Sequence, residues 1–441
     1  MSILNLNYVL WDEVKKAKVA GWPLPATSAD LYAYQRIERA APEYKKAGFT
    51  AALFQPSQRG AAGRFSNGYD KKDDYELDGT SWGDGAMGIA AVSALHDEGM
   101  KVYGDLVLHQ MSGYPRQQYT TPRFPKDPTC FAWTPGAVRW PGNVAPDSVP
   151  DPKGGYPDGD LCAYDQPNRY MWNGAIAATI WLADEMGFDG FRIDEAKDLH
   201  ADFLRALMDT QRLHNKFFFG EYFDGNPFAL AGWVNYWMHR RASALDFMFK
   251  FNVGRICNNA GNVWMGELSR IGLNMIEPFK AVTFLESHDT DTTPGEQIIS
   301  NKMLGYDIML TFPGEPMVYY RDWSTDAHCY GMKERINNGL WIHQHLAQGD
   351  FVTRHAEYQT FAHERLGRGK APGCICLFNN DPYNAHTITV QTRHPRDTRL
   401  HEFTGNAGYS ADVWTDWWGC ITATVPRNVN GCNSLVYAPY L

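Results

Sequence analysis

Phe188-Asp189-Gly190-Phe191-Arg192-Ile193-Asp194 is a short β-rich run that ends in an acid, and Glu195-Ala196-Lys197 follows it directly. Upstream, residues 168–186 have helical spacing, with Trp172, Ile176 and Ile180 at every fourth position as the expected buried stripe. The same strand-and-helix alternation extends outward in both directions. Further β-rich runs occupy 7–11, 49–55, 101–108, 216–223, 245–251, 281–289 and 317–322, with helical patterns at 86–99 and 332–346 among the intervals. Eight strand-then-helix units predict an α/β fold, a closed (β/α)8 barrel of parallel strands.

Two intervals break this rhythm. Residues 109–167, rich in Pro, Gly and Asp, are too long for a plain βα loop and read as an inserted domain after the third strand. Beyond 350, long helical patterns give way to short alternating runs such as 374–378 and 387–391, expected to form a C-terminal antiparallel β-sandwich. The predicted division is a barrel of residues 1–108 and 168–349, an inserted domain 109–167 and a sandwich 350–441.

With 44% hydrophobic and 21% charged residues the composition is that of a folded globular chain, without the run of ~18 apolar residues that a membrane span needs. The formal charge of -9 has no basic cluster, which argues against nucleic acid or an anionic membrane as partner. A neutral ligand and a monomer are expected. Fifteen Trp and 23 Tyr suit the apolar faces of sugar rings, although most must serve the core, Trp133 and Trp140 of the inserted segment included.

The first residues, MSILNLNYVLWDEV, lack the basic start and apolar stretch of a signal peptide, so the compartment stays open between cytoplasm and a processed secreted form. Of eight cysteines, Cys130 with Cys162 and Cys420 with Cys432 lie in loop-rich stretches where bridges or reduced thiols are equally expected. Cys374-Ile375-Cys376 alternates like a strand and lacks the spacing of a redox or zinc pair.

In a barrel of this kind the site lies at the C-terminal ends of the strands. The third run carries Asp105 and ends in His109-Gln110, the fourth ends in Asp194, the fifth in Glu221 and the seventh in His288-Asp289. One acid after a strand is more often a helix cap, but their joint occurrence points to chemistry. Asp105 reads as a buttress. Arg192 and Asp194, two apart on a strand, share one face, so the guanidinium is expected to keep a nucleophilic carboxylate ionised. Glu221, after the apolar Phe217-Phe218-Phe219, is expected in a drier setting suited to a general acid. Carboxylates on adjacent strands can stand at the ~5 Å separation of retaining glycosidases.

In order and spacing these motifs resemble the α-amylase family of glycoside hydrolases along the whole barrel. Gly190 to Lys197 is similar to the family's arginine and nucleophile motif, which implies Asp194 as nucleophile, Arg192 beside it and Lys197 on the leaving side. Gly220-Glu221 resembles the acid/base motif, and Phe284 to Asp289 the segment supplying the transition-state carboxylate, which implies Asp289 as the third catalytic carboxylate, gripping sugar hydroxyls together with His288. Gly68-Tyr69-Asp70 resembles the segment whose Tyr stacks on that sugar, Gly314 to Tyr319 the last-strand motif, and Asp165-Gln166-Pro167-Asn168 the signature closing the insertion.

The chain also departs from the family pattern. His109-Gln110 stands where Asn-His is usual, so Gln110 is left to hydrogen-bond a sugar hydroxyl. That Asn commonly ligates a structural calcium, for which His109 is a poor oxygen-ligand substitute, and no other cofactor is expected. Asp198 replaces a usual His, and Glu286-Ser287 a usual Asp-Asn. The resemblance implies hydrolysis of α-1,4-glucosidic bonds in starch, glycogen or maltooligosaccharides through a covalent glycosyl-enzyme. The alternatives are glycosyl transfer on the same scaffold and a silent glucan-binding protein.

Overall fold

The computed structural model describes residues 1–7, 32–60, 62–71, 74–109, 139–140, 149–150, 169–326, 328–407 and 412–440. Eight strands, β1 (Ile3–Asn5), β2 (Ala51–Leu53), β3 (Lys101–Leu106), β4 (Gly190–Ile193), β5 (Phe217–Gly220), β6 (Ser243–Leu245), β7 (Ala281–Phe284) and β8 (Glu315–Tyr319), close into a barrel in chain order. The strand pairs with assigned register are parallel, and they place Asp105 opposite Arg192 and Arg192 opposite Phe219. Strands covered on both faces need near-continuous apolar runs, and β7, Ala-Val-Thr-Phe, is buried throughout.

Helices α1 (Ala33–Ala47), α2 (Gly85–Asp97), α3 (Arg169–Met186), α4 (Ala201–Asp209), α5 (Pro227–Gly232), α6 (Phe247–Asn258), α7 (Lys302–Thr311), α8 (Tyr320–Trp323) and α9 (Lys333–His345) alternate with the strands. Helix α4 buries Phe203, Leu204, Leu207 and Met208, the one-sided stripe that holds a helix against a sheet. Gly190 allows β4 and β5 to approach: a Cβ there would lie 2.0 Å from the Phe217 carbonyl oxygen.

Four local expectations are corrected. The first strand is Ile3–Asn5 and not 7–11, of which residues 8–11 lie outside the described residues. The run 245–251 is only the end of a strand, because Asp246 starts α6 instead. Its carboxylate accepts the Phe249 N–H at 3.1 Å and the Asn274 N–H at 2.8 Å, and this capping turns the alternating Phe-Met-Phe-Lys-Phe into a helix. The eighth strand ends at Tyr319, with α8 following. The buried stripe of α3 is Ala175, Ala178, Thr179, Leu182, Ala183 and Met186. Ile176 and Ile180 only flank it, since small residues permit the closest approach, and the Trp172 side chain is outside the described set.

The chain forms two compact units. One comprises residues 3–223 and 232–245, and the other residues 1–2, 224–231 and 246–441. In the second unit, β9 (Phe351–Ala356), β10 (Thr360–Arg365), β11 (Cys374–Asn379), β12 (His386–Gln391), β13 (Arg399–Glu402), β14 (Asp412–Trp414), β15 (Cys420–Val425) and β16 (Ser434–Ala438) form antiparallel sheets. Their orders are β9-β10-β11-β16-β13-β14 and β12-β15. Ile375, Leu377, Leu400 and Leu435 from the first meet Ile388, Val390, Ile421 and Val425 from the second in one core.

Cys420 and Cys432 are free thiols, while Cys130 and Cys162 lie outside the described residues. Of the inserted segment the structure describes His109 and a parallel pairing of Arg139–Trp140 with Val149–Pro150. No helix among the described residues is long and apolar enough to cross a membrane.

Candidate active site

The ends of β3, β4 and β5 converge on one guanidinium. Arg192, on β4, points Nη1 at Asp105 Oδ1 and Oδ2 (2.7 and 2.8 Å) and at Asp194 Oδ1 (2.9 Å), while Nη2 pairs with Glu221 Oε1 at 2.8 Å. The register that sets Asp105 opposite Arg192 makes the first contact, and the two-residue period of the strand makes the second. Tyr69 joins them: its hydroxyl donates to Asp105 Oδ2 at 2.7 Å and accepts from Asn7 Nδ2 at 2.7 Å.

Arg192, Asp105 and Asp194 are buried, whereas the Glu221 side chain keeps 17% exposure. Burial works against the guanidinium charge, but Asp105, Glu221, Tyr69 and Asp194 outweigh it and hold Arg192 well above its ordinary value. For Asp194, burial pushes the carboxyl well above the usual range. Arg192 pulls it down, and the neighbouring Glu221, Asp105 and Glu195 push it up again. The guanidinium expected beside Asp194 is in place, and burial and the neighbouring acids act against its pull. Glu221 is not in an apolar pocket, since its second oxygen, Oε2, accepts the Glu195 backbone N–H at 3.1 Å.

Lys197 reaches away from this cluster, donating to the Phe223 carbonyl at 3.0 Å and lying over the Tyr222 ring at 5.5 Å. Gln110 lies outside the described residues, as does the stretch 165–168. His109 is buried, with Nδ1 2.6 Å from Glu195 Oε2.

His288 and Asp289 belong to the second unit. His288 Nε2 lies 3.2 Å from Asp289 Oδ2; the imidazole is buried and the carboxylate is 55% exposed. Behind them Glu286 is fully buried, accepting from Thr290 Oγ1 (2.7 Å) and the Ile298 N–H (2.6 Å) and pairing with Lys250 Nζ at 3.3 Å. The longer acid in place of a usual Asp thus reaches a lysine on α6.

Asn7, Glu195 and Lys250 have no assigned part in the sequence analysis. The signal available was an unusual residue beside a recognisable one: Glu195 directly follows Asp194, and Glu286 precedes Ser287. Among the described residues no group of three or more His, Cys, Asp or Glu side chains is placed to hold a metal ion. Where the resemblance implies a calcium ligand, His109 presents an imidazole engaged with Glu195, which does not fit a hard, oxygen-seeking ion.

No family model matches the chain. It is 26% identical over 296 residues to an α-amylase of Bacillus licheniformis, a match covering 62% of this chain and 54% of that protein. The chain therefore spans about half of that relative's length. It is 24% identical over 481 residues to a glucan 1,4-alpha-maltohexaosidase of Bacillus sp. (strain 707), covering 93% and 88% of the two chains. Among solved structures, an Anoxybacillus α-amylase superposes with a TM-score of 0.70 at 17% identity, covering 92% of this chain and 91% of that one. In sequence the chain resembles the α-amylase family of glycoside hydrolases, and it has the α-amylase fold.

Proposed function

We propose that this chain is a retaining glycoside hydrolase that cleaves α-1,4-glucosidic bonds in starch, glycogen or maltooligosaccharides. The observation that carries the reading is the single guanidinium of Arg192 held against both Asp194 and Glu221. In the first step an Asp194 oxygen attacks the anomeric carbon, the glycosidic C–O bond breaks, and Glu221 gives its proton to the departing oxygen. Asp194 loses its negative charge on forming the ester, and Glu221 gains one. Both ends of that transfer touch Arg192, so the charge facing the guanidinium stays constant through the step, with little reorganisation.

In the second step Glu221 takes a proton from water, the water oxygen attacks the anomeric carbon, and Asp194 leaves as carboxylate. Asp289 and His288 are assigned to sugar hydroxyls, with Tyr69 as the ring under the sugar and Lys197 and Gln110 as further contacts. Asp105 fixes Arg192 and does not react.

The test is maltopentaose hydrolysis followed by proton NMR. The expected result is that the α-anomer appears first, and that Asp194→Asn and Glu221→Gln each lose at least about a thousandfold in kcat. Initial release of the β-anomer, or full turnover by Asp194→Asn, would sink the reading.

A further inference from the structure

Glu195 has φ +44, a left-handed backbone that side chains with a Cβ rarely adopt. Such a conformation persists where the surroundings over-determine it. Here the carboxylate is held: Glu195 Oε2 lies 2.6 Å from Nδ1 of the buried His109. At the same residue the backbone N–H is aimed at Glu221 Oε2, at 3.1 Å. Since Arg192 Nη2 takes Glu221 Oε1 at 2.8 Å, the two oxygens of Glu221 are fixed from two directions, and one depends on a strained peptide. The relay crosses the ends of three adjacent strands, from His109 after β3 through Glu195 after β4 to Glu221 after β5.

From this geometry we infer that His109 and Glu195 are positioning residues for the proton-transferring carboxyl of Glu221. The inference rests on the glycosidase reading above. His109 grips the Glu195 carboxylate, the grip holds the left-handed turn, and the turn presents the N–H that orients Glu221 toward the departing oxygen. Neither residue need touch the sugar.

The role separates from a structural one by leaving group and nucleophile. In α-maltosyl fluoride the C1–F bond breaks to release fluoride without a proton, and azide can then displace Asp194 from C1 without a base. Neither step then uses Glu221. For Glu195→Ala, kcat/KM on maltotetraose should fall about tenfold to a hundredfold, while turnover of the fluoride with azide stays within about threefold of wild type. His109→Ala should show the same split. Glu195→Gln, which keeps a polar side chain of the same length beside His109 Nδ1, should recover most of the loss on maltotetraose and serves if either alanine variant fails to fold.

Equal losses on both substrates, or no loss on maltotetraose from a folded Glu195→Ala, would overturn the inference and leave the glycosidase reading intact. A wild-type protein inactive on both substrates overturns the reading and the inference together.

Discussion

Asp105 accepts two hydrogen bonds from one nitrogen of Arg192, at 2.7 and 2.8 Å, with its own side chain wholly buried. That carboxylate is the fixed side of the cluster, and Asp194 and Glu221 share what remains of the guanidinium. Asp105→Ala would leave Arg192 buried with less compensating charge, at a cost of about 3–5 kcal/mol in a urea titration. Asp105→Asn, which keeps one acceptor, is expected to cost less, and a loss as large as that of Asp105→Ala would show that charge alone matters here.

The direction of the Asp194 shift makes a pH prediction. Its folded-state pKa lies above the unfolded value, so its contribution to stability is complete below the unfolded pKa and disappears as pH rises through the folded one. Asp194→Asn should therefore melt close to wild type near pH 4 and about 1–3 °C higher by pH 8, in scanning calorimetry. The acid limb of kcat/KM should lie above the ordinary carboxylate value of about 4, because attack requires the ionised form. A limb at or below that value contradicts the carboxylate crowding described for the site.

Asp246 decides where β6 gives way to α6, by accepting the Phe249 and Asn274 backbone N–H groups. Replacing it with alanine strands two buried donors, and we expect a loss of about 2–4 kcal/mol by chemical denaturation. A loss under about 0.5 kcal/mol would mean that the apolar face of α6 sets the helix start without the cap.

At the position where the resemblance implies a calcium ligand the chain offers the His109 imidazole, a poor ligand for that ion. EDTA is expected to leave both maltopentaose hydrolysis and Tm unchanged. A fall in Tm of several degrees, restored by added calcium, would place the ion on oxygen ligands elsewhere in the chain.

Much of this protein is legible in its sequence alone. Apolar runs ending in acids, separated by helical spacing, dictate parallel strands with their polar ends together, because each run has to be covered on both faces. Asp105, Arg192, Asp194 and Glu221 follow from that as one site, since closing the barrel brings β3, β4 and β5 side by side. Where local signals compete, sequence reading slips: 245–251 alternates like a strand, yet a two-acceptor cap from Asp246 makes it helical. In α3, spacing alone could not show that small residues and not isoleucines face inward.

What only the tertiary structure decided is which atom meets which. Arg192 and Asp194 share a strand face by period alone, but Glu221 joins them only because β4 and β5 pair in the register that Gly190 permits. The meeting of His109 with Glu195, 86 positions apart in the chain, follows from no propensity or motif. Periodicity reports how each segment is covered, whereas a contact between segments depends on register and backbone conformation that only the folded chain sets.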